Sequence, residues 1–417
     1  MTRKKTGLRV FCNLIGSILW FFVPCSAQTP LGLAEAVQSA LRSRPSLQAD
    51  AEQVAAAEGL RRQAGLFPNP EFQFQNENLR PGQTYTRDVD TLALINQPLD
   101  ILGKRKRRVA VAEEGRNRAQ SEYQLPRWQV VQRVKLAYWA ARGAQEIREA
   151  WNGTLGNFQK IIEYHGSRLS VGAIAEQDFL RVRLEGERLK VSADLAVLDA
   201  NRARVELLRE MGRTDFEEVL LTEPLEPPAA VSPIGIERVL AQRIEIQVAR
   251  AALRQAEANA RLQEVAARPD LNVTFGYKRT QLPDALTGVN TALASLRITL
   301  PVTDKNQGNR AATEAQVRRQ RQLLAAAEAE VRADYYGALQ EYEFRRQEFV
   351  NILEPLRQHA AEISRISAAA YSEGGTDLLR LLDAERVGLE AELTRTRGLV
   401  EYRQSIARLE SAEGVDQ

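Results

Sequence analysis

Side chains that could carry chemistry are few in this chain and lie far apart. The 417 residues contain two histidines, His165 and His359, and both cysteines, Cys12 and Cys25, lie near the start. A site for a borderline or soft transition metal normally uses His, Cys or Met ligands. Beyond Cys25, a single methionine, Met211, adds to the two histidines. The sequence therefore predicts no metal site.

The remaining chemical patterns point the same way. No nucleophile–base pair and no glycine-rich phosphate loop stands out, so we predict neither a cofactor nor an enzymatic activity. His165 lies shortly before a glycine turn at Gly172 and is predicted to be a surface residue. The polar residues left to consider are charges near two glycine turns and a basic run, Lys104–Arg108.

The first 27 residues have the pattern of a secretory signal peptide. Basic residues from Arg3 to Arg9 precede an apolar stretch, and Cys25-Ser26-Ala27 offers a cleavage site after Ala27. A membrane anchor and a lipoprotein modified at Cys25 are the alternatives. Four of the 57 Lys and Arg residues lie in this leader, which leaves 53 against 54 acidic residues. A nearly neutral exported chain gives no reason to predict nucleic-acid binding.

The chain after the leader is one unit written twice. Residues in the first half recur 199 positions later: Arg44 as Arg243, Glu58 as Glu257 and Pro70 as Pro269. Further pairs follow with small insertions, namely Pro98 with Pro301, Gly103 with Gly308, and Gly172 with Gly374. We predict a first repeat over 28–211, a linker rich in proline over 212–233, and a second repeat over 234–417.

Each repeat contains a pair of alternating apolar and polar stretches. Leu271, Val273, Phe275 and Tyr277 alternate with Asn272, Thr274 and Lys278, and a second arm covers residues 295–300. The first repeat has matching arms at Phe72–Gln75 and Thr91–Leu94. Arms of about ten residues suit either a soluble hairpin or tilted strands that cross a bilayer. Because both repeats of an exported chain carry one, we predict membrane strands, with the odd-numbered residues 271–277 facing lipid and Asn272, Thr274 and Lys278 facing the lumen.

Four strands cannot close a barrel by themselves. An open sheet edge in lipid leaves backbone N–H and C=O groups unpaired, at a cost of several kcal/mol each. The chain is therefore expected to oligomerise, with each copy contributing four strands to a shared barrel.

The other segments are predicted to be helical. One helical stretch covers Leu31 to about Leu66, and a much longer one covers Gly103 to Ser170, with a kink at Pro126. Its apolar residues follow steps of three and four, as in a coiled coil: Val130, Val134, Ala137, Ala141, Ala144, Ile147, Trp151, Leu155, Phe158 and Ile162. A similar stretch covers Asn309 to Ser372. Turns at Gly172 and Gly374 reverse the chain into returning helices.

With this duplication, these strand pairs and these glycine turns in the same order, the sequence resembles the TolC-type outer-membrane efflux channels over nearly all of its mature length. Short motifs resemble the heavy-metal branch, the cobalt–zinc–cadmium resistance outer-membrane proteins: Gly65–Glu71, Glu77-Asn78, Gln97–Leu99 and Leu102–Arg105. The resemblance implies a mainly helical fold with strands, in which a long coiled-coil helical barrel joins a trimeric 12-stranded outer-membrane β-barrel. The partners that it implies are a periplasmic adaptor and an inner-membrane pump of the resistance–nodulation–division (RND) class.

In the family, the two glycine turns form the periplasmic tip, where the tunnel closes and the adaptor docks. The docking turns would be Val171-Gly172 and Gly374-Gly375. Asp178 and Tyr371 match an aspartate and a tyrosine that latch neighbouring helices, and Asp383 matches one of two aspartates that ring the closed pore. Arg380 stands where the other ring aspartate would be. Solvated helix charge is the alternative for Asp178 and Asp383.

The resemblance predicts a passive outer-membrane conduit that extends into the periplasm and exports divalent heavy-metal cations. A channel for organic drugs or for protein secretion is the alternative within the same fold, and a periplasmic coiled-coil adaptor is the alternative from another class. The run Lys104–Arg108 follows a strand directly, so it could contact lipid phosphates, a neighbouring subunit or solvent alone.

Overall fold

The structure, a computed structural model, describes residues 29–79, 81–82, 89–281 and 288–415. The predicted signal peptide lies outside these residues. The described chain is mainly helical with a small strand component, as predicted. Its elements are β1 (Thr29–Leu31), α1 (Leu33–Ser43), α2 (Pro45–Ala64), β2 (Glu71–Glu77), β3 (Asp90–Leu99), α3 (Lys104–Ser170), α4 (Glu176–Glu210), β4 (Val219–Leu221), α5 (Ile236–Gln242), α6 (Ile244–Ala266), β5 (Asp270–Thr280), β6 (Val289–Thr299), α7 (Gln307–Glu348), α8 (Glu354–Ser372) and α9 (Leu378–Glu413).

Long helical hairpins make up most of the molecule. Helix α3 has 67 residues, which corresponds to roughly 100 Å of helix. Pro126 lies inside α3 without ending it. In the second repeat, a π-helical turn at Phe349–Leu353 separates α7 from α8, and Pro355 stands in the first turn of α8. The coiled-coil residues predicted in α3 are all buried or half-buried.

The four longer strands form one antiparallel sheet with the order β2-β3-β5-β6. Each repeat contributes one hairpin, and the central pair β3–β5 joins the two repeats. Gly276 of β5 lies so close to β3 that an added Cβ would be 2.5 Å from the carbonyl oxygen of Ala93. The strand pairing predicted for each repeat is therefore confirmed, and the two hairpins form a single sheet.

Two features of the first helical stretch differ from the prediction. The chain forms a short strand, β1, which pairs in parallel with β4 of the linker. The predicted single helix is divided at Arg44, where the backbone is extended and Pro45 begins α2. The second repeat divides α5 from α6 in the same way at Arg243. Proline favours the first position of a helix, so Pro45 is a local reason for the first division.

These two arginines hold the ends of the returning helices. Arg44 donates from Nη1 to the carbonyl oxygen of Glu210 at 2.9 Å, and Arg243 donates to the carbonyl oxygen of Ala412 at 2.9 Å. Arg243 also lies over the indole ring of Trp128, with 4.8 Å between its guanidinium carbon and the ring centroid. Free carbonyl groups at a helix C-terminus favour such cationic donors. The duplication thus includes a tertiary contact as well as the secondary structure.

The linker is held by one tyrosine from each repeat. The backbone N–H of Glu223 donates to Tyr138 Oη at 3.2 Å, and that of Val231 donates to Tyr342 Oη at 2.9 Å. Each tyrosine is buried in the apolar core of its own repeat. The segment 212–233 is therefore attached to each half of the chain at one point, Glu223 to Tyr138 and Val231 to Tyr342.

Candidate functional site

The first hairpin turns at Gly172, where α3 ends. Gly172 has a φ of 70°, in the left-handed region that glycine adopts without steric cost. The N–H of Ala173 donates to the carbonyl of Arg168 at 2.8 Å, and that of Gly172 to the carbonyl of Leu169 at 2.9 Å. This pattern satisfies the last carbonyl groups of the helix. The side chain of Val171 next to it is exposed.

The second hairpin repeats this geometry at Gly374, which has a φ of 76°. The N–H of Gly375 donates to the carbonyl of Ala370 at 2.8 Å. Helix α9 then begins after Asp377, whose Oδ1 accepts the backbone N–H of Arg380 at 2.9 Å. Both turns are exposed, so each offers backbone and small side chains to a partner.

The predicted correspondence of Gly103 with Gly308 is less exact than that of the two turns. Gly103 is the left-handed residue before α3, whereas the left-handed residue before α7 is Asn306.

A contact between the two hairpins lies close behind the turns. Tyr371 Oη is 3.1 Å from His165 Nε2, so the two share a hydrogen bond. The predicted surface position of His165 is wrong, since the residue is only 2% exposed. Burial lowers the pKa of His165, Arg168 lowers it further, and Asp178 opposes them. Burial also raises the pKa of Tyr371. In the described structure the other imidazole nitrogen, Nδ1, is buried without a hydrogen-bond partner.

The other predicted gate residues lie at the surface of the subunit. Asp178 is exposed in the first turn of α4. Its predicted partner, Tyr371, is instead hydrogen-bonded to His165. Asp383 accepts from Arg386 Nη2 at 2.7 Å. Arg380 is exposed and lies one turn before Asp383. Asp383 is therefore neutralised by Arg386 of the same helix and not by Arg380. Exposed charges on helices of one subunit remain available for contacts with another.

The basic run at the start of α3 is partly committed to its own subunit. Lys104 Nζ lies 2.7 Å from Asp270 Oδ1, and Arg108 Nη2 lies 2.7 Å from Asp100 Oδ2. Arg105 donates to the carbonyl of Gly65 at 2.9 Å. Its guanidinium carbon also lies 4.2 Å from the centroid of the exposed Phe67 ring. The run is therefore attached to the end of the sheet where the strands meet the helices.

The sheet has one strongly apolar face. Directly opposed residues share a face, and Phe72 lies opposite Ile95, which lies opposite Phe275. The exposed members of this face are Phe72, Phe74, Ile95, Phe275, Tyr277, Leu296 and Ile298. The first hairpin departs from the expected alternation, because Leu92 and Leu94 lie opposite Gln75 and Gln73 on the other face and are buried.

Each helical hairpin carries a stripe of exposed apolar side chains at coiled-coil spacing. On α4 the stripe consists of Leu180, Leu184, Val191, Leu195, Leu198 and Val205. In the second hairpin it consists of Ile352, Leu356, Ile363 and Ile366. Steps of three, four and seven place such residues on one side of a helix. The subunit thus has an unpartnered apolar stripe on a helix of each hairpin.

Two general features of the described residues complete the description of the site. No three His, Cys, Asp or Glu side chains within them converge as a set that could hold a metal ion. Among the helices of these same segments, none combines the length and the apolar composition needed to span a membrane.

Comparison with known proteins gives concordant matches. The family model described as outer membrane efflux protein matches residues 36–213 and 235–415, one segment in each repeat. The cobalt-zinc-cadmium resistance protein CzcC of Cupriavidus metallidurans is 24% identical over 371 residues, which cover 89% of this chain and 87% of CzcC.

Solved structures with the same fold cover nearly the whole chain. A membrane protein from Pseudomonas aeruginosa superposes with a TM-score of 0.74 at 20% identity, over 92% of this chain and 93% of its own. A crystal structure of CusC superposes with a TM-score of 0.74 at 17% identity, over 92% of each chain. At identities this low, the superpositions show similarity of fold alone.

Proposed function

We propose that this chain, which belongs to the outer membrane efflux protein family, is the outer-membrane channel of a tripartite system that exports divalent heavy-metal cations. Three copies form one passive conduit. A periplasmic adaptor and an inner-membrane RND-type pump deliver the cargo to its periplasmic end.

The observation that carries the proposal is the sheet with one apolar face and two unpaired edges. In the described residues, β2 pairs only with β3, and β6 pairs only with β5. A lipid-exposed edge would leave backbone groups without hydrogen bonds, which makes an isolated sheet untenable in a bilayer. Pairing β6 of one copy with β2 of the next removes every edge, and three copies then give twelve strands. The apolar face with Phe72, Phe275 and Leu296 lies outward, against lipid.

The exposed helical stripes support the same ring. The stripe on α4 and the stripe on the second hairpin are different surfaces of one subunit, so pairing one with the other between copies is a heterologous contact. A heterologous contact closes into a ring when its rotation is a whole fraction of a turn. Burial of such stripes between subunits is favourable by about 25 cal/mol per Å² of apolar area. The helices would then form a tunnel that continues the barrel into the periplasm.

The cargo is proposed from the similarity to CzcC and from the nature of a conduit. CzcC is described as a cobalt-zinc-cadmium resistance protein. A passage that releases ions must bind them weakly, because a tightly held ion would block it. Hydrated cations can pass through a polar tunnel without dedicated ligands. The exposed turns at Gly172 and Gly374 would meet the adaptor at the periplasmic end.

A complementation experiment tests this function. The gene is deleted from a host that keeps its pump and adaptor, and cobalt, zinc and cadmium tolerance and cell metal content are measured. Wild-type protein should restore tolerance and lower metal content. Phe275→Arg, on the apolar face, should fail, whereas Asn272→Arg on the opposite face should complement. Restored tolerance to organic drugs or restored protein secretion, with no change in metal tolerance, would contradict the proposed cargo.

A further inference from the structure

A belt of exposed apolar side chains surrounds the end of the sheet where the strands meet the helices. Its members are Leu66, Phe67, Phe72, Ile101, Leu300 and Val302, and Phe72 and Val302 are more than 70% exposed. Soluble surfaces scatter such residues singly, whereas a cluster at one level of the molecule indicates contact with another phase or partner. One member, Phe72, also belongs to the apolar face of the sheet, opposite Ile95.

Positive charge gathers at the same level as this belt. Of the five basic residues in Lys104–Arg108, Lys104 and Arg108 are neutralised by Asp270 and Asp100. Within the segments that the structure describes, Arg105, Lys106 and Arg107 form no ion pair, which leaves three positive charges in the first turn of α3. An uncompensated group of this kind suits a negatively charged partner and not a neutral one.

Arg105 connects the charge to the apolar belt. Its guanidinium lies over the ring of Phe67, with 4.2 Å from its central carbon to the ring centroid, and its Nη1 donates to Gly65. A guanidinium has five N–H donors in a planar fork, so this contact leaves donors for a phosphate. Phe67 itself remains largely exposed beside it. One position therefore offers a phosphate donor and an apolar surface together.

We infer that the first turn of α3, with Phe67 and Ile101, binds an anionic glycerophospholipid of the periplasmic leaflet, its phosphate on Arg105, Lys106 and Arg107 and its acyl chains against the apolar belt. This inference rests on the proposed membrane position of the sheet. Basic residues close to an anionic membrane surface contribute about 1 kcal/mol each, which corresponds to roughly fivefold in affinity. The lipid would fix the depth at which the barrel ends and the tunnel begins.

Lipid adducts on the detergent-solubilised full-length protein test the inference. Native mass spectrometry compares phosphatidylglycerol with phosphatidylcholine on wild type, on Lys106→Gln/Arg107→Gln and on Arg105→Gln. The matched control is Arg318→Gln/Arg319→Gln, two neighbouring exposed arginines that lie about 16 Å along α7 from its start at Gln307. Wild type should retain phosphatidylglycerol preferentially, and the first double variant should lose on the order of 25-fold in affinity while the control is unchanged.

A second measurement locates the lipid without removing a charge. Phe67→Trp keeps an aromatic ring under Arg105, and its fluorescence in vesicles should be quenched by phosphatidylglycerol brominated near the glycerol end of its acyl chains. Equal retention of both lipids with no quenching would overturn the inference. So would a loss of the oligomer in lipid-free detergent on Lys106→Gln/Arg107→Gln, because the run would then serve a subunit contact. Wild-type conductance in planar bilayers reports separately on the proposed channel.

Discussion

Tyr371 and His165 share a hydrogen bond of 3.1 Å that joins the second helical hairpin to the first just behind their turns. The two residues lie 206 positions apart, one in each repeat. The tip of the subunit is thus held by a polar contact between a buried imidazole and a half-buried phenol. Any separation of the hairpins at this level must break that contact.

The first prediction concerns closure of the tip. Asp178→Ala combined with Tyr371→Phe removes a proposed latch between neighbouring helices, and it removes the bond to His165 while keeping the aromatic ring. Single-channel conductance in planar bilayers should rise, and cells should become permeable to bulky antibiotics. Ser372→Ala, at an exposed position beside Tyr371, serves as the control. Unchanged conductance in the double variant would place the closure elsewhere.

The second prediction concerns the loss of folding stability at acidic pH. The pKa of His165 is lowered by burial and by Arg168, with Asp178 opposing. Tyr371 faces the ring through its hydroxyl, and Tyr164 packs edge-on at 5.3 Å. Because the folded pKa lies below the unfolded value near 6.5, the unfolded chain binds the extra proton first. The stabilising contribution is complete above that pH and declines as the pH falls through the folded pKa.

The melting temperature of detergent-solubilised protein at pH 7.5 and pH 5 measures this effect. Wild type should lose more stability in acid than His165→Gln, which has no titrating group at this position. His359→Gln changes an exposed histidine and should keep the wild-type pH dependence. The same pH dependence in wild type and His165→Gln would show that the folded chain binds this proton as readily as the unfolded chain, so that burial does not lower the pKa of His165.

The third prediction concerns ion selectivity at the tip. Arg380 is exposed and forms no ion pair within the part of the chain that the structure describes, whereas Asp383 is already paired with Arg386 at 2.7 Å. In a trimer, Arg380→Asp would replace three positive charges by three negative ones at a narrow point, which favours cations. Reversal potentials in asymmetric salt should shift towards cation selectivity. Arg202→Gln, further along α4 in an exposed pair with Asp199, is the control.

The fourth prediction concerns the two faces of the sheet. Arginine at Val273 or Phe275 should cost about 2–4 kcal/mol near the bilayer midplane and less near the interface. Asn272→Arg places the same charge on the opposite face, where water in the lumen would solvate it. Unfolding in lipid vesicles with increasing denaturant measures the difference. Equal tolerance on both faces would contradict the assignment of lipid and lumen.

Much of this fold could be predicted from the sequence because its patterns are long and duplicated. The alternation in residues 271–277, the coiled-coil steps of α3 and the two glycine turns each indicate an element by themselves. The match of the outer membrane efflux protein family confirms the resemblance that these elements carry together. The similarity to CzcC agrees with the heavy-metal branch that the short motifs suggested.

Features that depend on tertiary contacts were missed. The parallel pair β1–β4 consists of three residues in each strand, too few for a periodic signal. The π-helical turn at Phe349–Leu353 has no distinctive composition and lies where Gly398 allows Leu353 to approach closely. Burial of His165 did have a signal, because the coiled-coil steps that end at Ile162 continue by three residues to position 165. The polar residue type concealed it.

The mass of the detergent-extracted particle tests the central claim most directly, because a shared barrel requires several copies of the four-stranded sheet. Native mass spectrometry of protein extracted from outer membranes should give three times the mass of the processed chain. Hydrogen exchange on the same sample should show slow backbone amides in β2 and β6, whose free edges would be paired between subunits. A monomeric particle whose strand amides are nevertheless protected would contradict the account.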